Sequence, residues 1–106
     1  MLFRSDAPKF SLEELARFLP HVVAESERTG RSRVLIDARG MTGTMSEAER
    51  FSSGQMMAEV FGAGIKAAIL LPEGQVTKLG EIAAVNRGAR VLVTSDESEA
   101  IDWLLS

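Results

Sequence analysis

The stretch Val34-Leu35-Ile36-Asp37-Ala38-Arg39-Gly40-Met41-Thr42-Gly43-Thr44-Met45-Ser46-Glu47-Ala48-Glu49 decides the fold. Val34 to Ala38 is short and β-branched with little polar alternation, the pattern of a strand covered on both faces in a parallel sheet. Gly40 to Thr44 then reads as a flexible loop. Ser46 and Glu49 stand at capping-box spacing, so each satisfies a backbone amide at the start of the next helix. Strand, loop and helix start follow one another directly, which is the first half of a βα unit.

Downstream, the helix that opens at Ser46 runs to about Phe61, with Phe51, Met57, Ala58 and Phe61 as its buried face, and Gly62 and Gly64 close it. Lys66 to Leu71 repeats the buried-strand pattern, and Pro72-Glu73-Gly74 turns the chain. A further helix is predicted from about Gln75 to Arg87, with Val76, Leu79, Ile82, Ala83 and Asn86 on one side and Gly88 as its left-handed end. Ala89 to Thr94 is the next strand. Thr94 and Glu97, at capping-box spacing, open a last helix to about Leu105 that carries Ala100, Ile101, Leu104 and Leu105. Upstream, Ser11 and Glu14 form another capping box and start a helix to Thr29 with its apolar stripe on Leu12, Leu15, Ala16, Leu19, Val22 and Val23. Pro20 lacks an amide proton and crowds the preceding turn, so a kink or a break is predicted there. Gly30 ends that element.

Alternating helices and strands imply parallel strands joined by right-handed crossovers: an α/β fold with a small, open, mainly parallel sheet of four or five strands and helices mostly on one face. The 106 residues fit one domain, 1–106, with 45% apolar and 25% charged positions. A net charge of −3, its acidic excess lying after Ser53, argues against nucleic acid. The absence of cysteine excludes thiol catalysis and Cys-ligated metal. The apolar run Ala67 to Leu71 falls far short of the roughly twenty residues a membrane helix needs, and Met1 to Phe10 lacks a signal-peptide core, so no membrane insertion and a cytoplasmic location are expected.

Ligands of such sheets sit beyond the carboxyl ends of the strands. Asp37, Arg39 and Thr94 stand at those ends. Asp37 and Arg39 are read as pointing to opposite faces or diverging, so Asp37 has no legible catalytic partner. Thr42, Thr44 and the amides at Ser46 offer an anion or polar-ligand site, but the loop lacks the third glycine of a dinucleotide fingerprint and the lysine of a P-loop, so no cofactor is predicted. His21 is the only histidine and has no nitrogen or thiol partner for a metal. Arg28, Arg31 and Arg33 form a basic knob that Glu25 and Glu27 largely cancel. Met41, Met45, Met56 and Met57 concentrate near the second loop and helix as an adaptable apolar region suited to core filling, a dimer contact or a greasy ligand pocket. Trp103 sits beside the last helix's stripe.

Taken together, Val34 to Gly43, Asn86-Arg87-Gly88-Ala89-Arg90-Val91 and Glu99-Ala100-Ile101-Asp102-Trp103-Leu104 resemble the SpoIIAA-like branch of the STAS superfamily, across nearly the whole chain. That resemblance implies a regulatory or interaction module without catalytic residues. In the antagonist members a serine of an Asp-Ser-Ser-Gly motif opens the second helix and is phosphorylated. Here Thr44-Met45-Ser46-Glu47 occupies the position, so Ser46 matches in place alone and is the candidate phosphorylation site. The branch is also likened to lipid-binding Sec14-type domains. The expectation is a non-enzymatic module that binds a protein partner or small ligand through the loop and helix from Gly40 to Phe61, notably Thr44, Ser46 and Met57. The alternatives are a site for a small anionic or lipid ligand, or an enzyme, at the strand ends. Only Leu2 to Arg4 is available as a strand before the first helix, where the family brings an antiparallel pair; an uncovered sheet edge there invites a homodimer.

Overall fold

A computed structural model of the chain describes residues 1–4 and 11–106. The reading of the first ten residues therefore falls partly on residues 5–10, outside the described part. The elements are β1 (Leu2–Arg4), α1 (Leu12–Thr29), β2 (Arg33–Asp37), α2 (Glu47–Phe61), β3 (Lys66–Leu70), α3 (Leu79–Val85), β4 (Arg90–Thr94) and α4 (Glu97–Leu105). Four strands form one open sheet in the sequential order β1-β2-β3-β4, every neighbour parallel. The strand available at the front is thus a single edge strand, parallel to β2, and no antiparallel pair precedes α1 among the described residues.

Because each crossover steps to the next strand in the same direction, α1, α2 and α3 fall on one face of the sheet. Their apolar sides meet Val34, Ile36 and Ala38 of β2 and its end, Ala67 of β3, and Val91 and Val93 of β4. The opposite residues, Leu35, Ala68 and Leu70, pack with Ala100, Trp103 and Leu104 of α4 on the other face. Leu19, Val22, Val34 and Leu70 are fully buried, each contributing about 1.5–3 kcal/mol of transfer free energy. β2 and β3 are covered on both faces, which is why neither shows polar alternation.

Pro20 breaks nothing: α1 runs through it unbroken. Pro20 and Ala16 are both exposed, so the missing amide leaves no buried carbonyl unsatisfied on this face. The buried face of α2 is Arg50, Ser53, Gly54, Met57, Ala58 and Phe61; Met57, Ala58 and Phe61 are buried as predicted, but Phe51 is 41% exposed beneath the Arg87 guanidinium. The reason is the α2–α3 crossing. An added Cβ on Gly54 would lie 2.2 Å from the Gly80 carbonyl oxygen, so the helices meet through Gly54, Gly80 and Ala83, and larger groups turn outward. Ile82 of α3 is accordingly exposed, as is Asn86. α3 is also shorter than its sequence pattern, because Lys78 holds a left-handed φ of 62° and residues 75–78 are loop.

Gly30 and Gly88 take the left-handed backbone predicted for them. The last helix is capped by Asp96, whose Oδ1 accepts from the Ser98 and Glu99 amides. Thr94, expected to cap it, instead accepts from the Asp96 amide and fixes the loop before it. α4 buries only Ala100 and Leu104; Ile101 and Leu105 face outward. Trp103 lies under the Lys66 ammonium, 4.7 Å from the ring centroid. Burial, with Arg90 and Arg33 nearby, holds that ammonium below the ordinary lysine range.

The two edges of the sheet differ. On β4, Glu81 Oε1 accepts from the Val93 amide at 2.7 Å and Lys78 Nζ donates to the Val93 carbonyl, so side chains of α3 and of the residue that precedes it occupy the outer hydrogen-bonding groups of Val93. The outer edge of β1 has no strand beside it among the described residues, and next to it Leu2, Leu35, Ile101 and Leu105 line a shallow apolar groove. The edge expected to invite a second copy is therefore that of β1.

Candidate functional site

The C-terminal halves of β2, β3 and β4 form the floor of a partly enclosed cavity of about 360 Å³, bounded by α1, α2 and the start of α3. Ile36, Ala38, Ile69, Leu71 and Val93 supply the floor, Leu15, Phe18 and Leu19 one wall, and Met41, Met45 and Met57 the wall from the Gly40–Met45 loop and α2. The methionine concentration in the sequence thus resolves into three side chains around one hollow, with Met56 packed beside the core. Flexible thioethers suit a wall that must adapt to an occupant.

Polar groups enter at the α2–α3 end. Arg50, only 7% exposed, lies on the inner face of α2. One terminal guanidinium nitrogen donates to the Gln75 carbonyl and the other to Gln75 Oε1 at 3.2 Å. The same amide group carries Nε2, which donates to Thr44 Oγ1 at 3.5 Å, so Gln75 links the Gly/Thr loop to Arg50 of the cavity wall. Ser53, also buried, donates to the Glu49 carbonyl at 2.7 Å. Lys78 and Glu81 pair at 3.4 Å on the cavity wall.

The predicted site residues divide between the two sides of the sheet. Met57 lies in the cavity, but Asp37 and Thr94 share a cross-strand row with Leu70, a residue of the α4-side core. Asp37 and Arg39 do not diverge. The loop after β2 curls so that Arg39 Nε and a terminal nitrogen donate to the two Asp37 oxygens at 3.0 and 2.9 Å, and the Arg39 amide donates to Oδ1 at 3.1 Å. Arg39 also reaches Glu97 at 3.5 Å, at the start of α4. Asp37 is therefore a structural acceptor for the next loop. Thr42, Thr44 and Ser46 are exposed, and Ser46 makes the complete reciprocal cap, accepting from the Glu49 amide while Glu49 accepts from its own.

Hydrogen bonding to Arg39 holds the Asp37 carboxyl below the usual carboxylate range, against the opposing effect of burial, with the Arg39 amide and the Arg39 and Arg4 charges adding to the lowering. A depressed folded value contributes stability above the unfolded value near 4 and loses it as pH falls through the folded value. Asp37→Asn is therefore expected to flatten the decline of the urea midpoint below about pH 4. At neutral pH it should cost less than about 1 kcal/mol, because Arg39 is 41% exposed and water screens the pair. Parallel pH curves for the two proteins would contradict this.

His21 is exposed on α1 with its ring edge-on to Phe3 at 5.9 Å, and Arg28 is tied to Glu25 at 2.7 Å. Among the described residues no group of three His, Asp or Glu side chains is placed to hold a metal. No described helix is long and apolar enough to cross a membrane.

Sequence reasoning missed Arg50, Gln75, Lys78 and Glu81. For Arg50 a signal existed: it stands three, four, seven and eight residues before Ser53, Gly54, Met57 and Ala58, within the inward stripe. The others depend on the loop conformation around Lys78, which no periodicity reports. Comparison of the chain with protein-family models, curated proteins and solved structures yields no match.

Proposed function

We propose that the protein is a non-enzymatic binding module that holds a small, mainly apolar ligand in the cavity between the sheet and α1, α2 and α3. The observation that carries this reading is the hollow itself: about 360 Å³, at the low end of ligand-pocket volumes, walled chiefly by apolar groups, with Arg50, Ser53, Lys78 and Glu81 at the α2–α3 end and Arg4, Ser11 and Glu14 beside the start of α1. A core of this size normally leaves few voids larger than a water molecule. The position at the strand carboxyl ends is where open parallel sheets hold ligands. The non-enzymatic part rests on the Asp37–Arg39 pair, which engages the carboxylate at the end of β2, and on the resemblance to STAS-type modules.

The Gly40–Phe61 segment enters this reading from the inside. Met41, Met45, Arg50 and Met57 would touch the ligand, and Thr44 and Ser46 would shape the rim, so a filled cavity would alter the surface that the loop presents. That links ligand binding to partner docking in a regulatory module.

Native mass spectrometry of the protein prepared from its own cells without detergent tests the reading. The expected spectrum shows a non-covalent adduct that is lost when the chain unfolds. Bare polypeptide, together with no uptake of apolar alcohols or acids by the purified protein, would overturn it.

A further inference from the structure

Arg50 is the one buried charged side chain in the cavity lining. Its side chain comes from the first turns of α2, is more than nine-tenths buried, and lines the hollow. No carboxylate lies within 4.0 Å of it among the described residues: the ion pairs there join Arg17 to Glu13 and Glu14, Arg28 to Glu25, Arg39 to Asp37 and Glu97, and Lys78 to Glu81. Both of its recorded partners belong to the uncharged Gln75, which takes only two of the five N–H donors of a guanidinium. A buried charge is costly unless paired, and arginine stays protonated at any pH at which the protein is folded. The positive end of α2, whose first amides lie one turn before Arg50, adds to the same local potential.

An apolar hollow with one buried, uncompensated guanidinium matches an amphiphile with a single anionic end. Phosphate and dicarboxylate fit less well: the floor and most of the wall are Leu, Ile, Val, Phe and Met, Lys78 is already paired with Glu81, and Arg4 is exposed, so Arg50 is the one buried cation of the lining left for an anionic group. We infer that the ligand is a medium-chain monocarboxylate, its carboxylate paired with Arg50 and its hydrocarbon body against Met45, Met57 and the β2–β3 floor. At about 30 Å³ per water-sized group, 360 Å³ holds roughly a dozen non-hydrogen atoms, the size of a ten-carbon acid. Planar guanidinium–carboxylate pairing would also set the direction in which the chain lies.

This inference rests on the cavity-binding reading above, and the test separates the two. Decanoate, 1-decanol and methyl decanoate are titrated into the full chain at pH 7.5 by isothermal calorimetry, with wild type, Arg50→Gln and Arg50→Lys. Wild type is expected to bind decanoate at least tenfold more tightly than the alcohol or the ester. Arg50→Gln should lose the preference and bind all three within about threefold of one another, with its far-UV circular dichroism and cooperative thermal melt showing that it is folded; Arg50→Lys should retain the preference for the acid. Equal binding of acid and alcohol by wild type overturns the monocarboxylate inference and leaves the cavity reading standing. A preference for the acid that persists undiminished in Arg50→Gln overturns the role of Arg50. Tighter binding of the ester than of the acid overturns it in favour of an acylated lipid. Failure of all three probes to bind overturns both readings.

Discussion

Gly54→Ala is expected to be among the most damaging single-methyl changes in this protein. In an exposed helix interior the same change would stabilise by about 1 kcal/mol through propensity. Here the new Cβ would meet the Gly80 carbonyl oxygen at 2.2 Å and the Ala83 Cβ at 2.8 Å. The first of these is backbone and cannot rotate away, so α2 and α3 must move apart. Overpacking of this kind costs about 3 kcal/mol or more, leaving a net loss of at least about 2 kcal/mol and a melting temperature lower by roughly 10 °C. The paired glycine gives an internal scale. At Gly80 the Cβ would sit 3.0 Å from the Arg50 carbonyl oxygen, and at Gly64 its nearest neighbour is the Phe61 carbonyl oxygen at 4.0 Å. Thermal melts should therefore rank Gly54→Ala well below Gly80→Ala, and Gly80→Ala below Gly64→Ala. Equal melting temperatures for the Gly54 and Gly64 variants would contradict the crossing described here. Because α3 also carries Glu81 to the edge of β4, separation of the helices should reach the cavity wall.

Ala38→Phe is expected to do the opposite, removing binding while sparing the fold. Ala38 follows β2 directly, faces the hollow, and donates its amide to the Leu70 carbonyl, a bond that its side chain does not touch. A phenyl group placed there fills space that no described residue occupies and buries new apolar surface. Stability should stay within about 1 kcal/mol of wild type or rise, the usual outcome of filling a void. The affinity for an apolar ligand of about ten carbons should fall at least about a hundredfold, equivalent to roughly 2.8 kcal/mol. Retained affinity in a folded Ala38→Phe protein would place the ligand elsewhere. A large loss of stability would mean that the hollow is too small to accept a ring.

Much of the scaffold was legible because local rules decide it. Ser46 with Glu49, and Ser11 with the Glu14 amide, form the caps their spacing predicts, and Gly30 and Gly88 stand in left-handed backbone. β2, β3 and β4 agree with their apolar runs to within a residue or two. What escaped reading depends on tertiary contact. Phe51 and Ile82 obey helical spacing yet face solvent, because Gly54 and Gly80 draw the backbones of α2 and α3 together and leave no room for large groups between them. Pro20 was expected to kink or break α1, but the helix is continuous through it, and the residue lies on an exposed face. Asp37 and Arg39 pair only because the chain curls after β2, a conformation that strand alternation does not foresee. The candidate site shows the same division. Methionine clustering pointed to the right wall, whereas Arg50 was hidden in a stripe read as purely apolar, and Gln75, Lys78 and Glu81 acquired their places from a loop that ends in a left-handed lysine.

The central claim is that the hollow under α2 receives a ligand, and the five methionines report on it directly. Methyl NMR of protein labelled at the methionine ε-carbon, titrated with decanoate, gives one resonance per site. Met41, Met45 and Met57 line the cavity, whereas Met1 lies at the groove beside β1 and Met56 is not part of the cavity lining. Saturable shifts confined to Met41, Met45 and Met57, absent in Ala38→Phe, are the predicted result. Unchanged spectra at millimolar decanoate, or shifts centred on Met1, would contradict it.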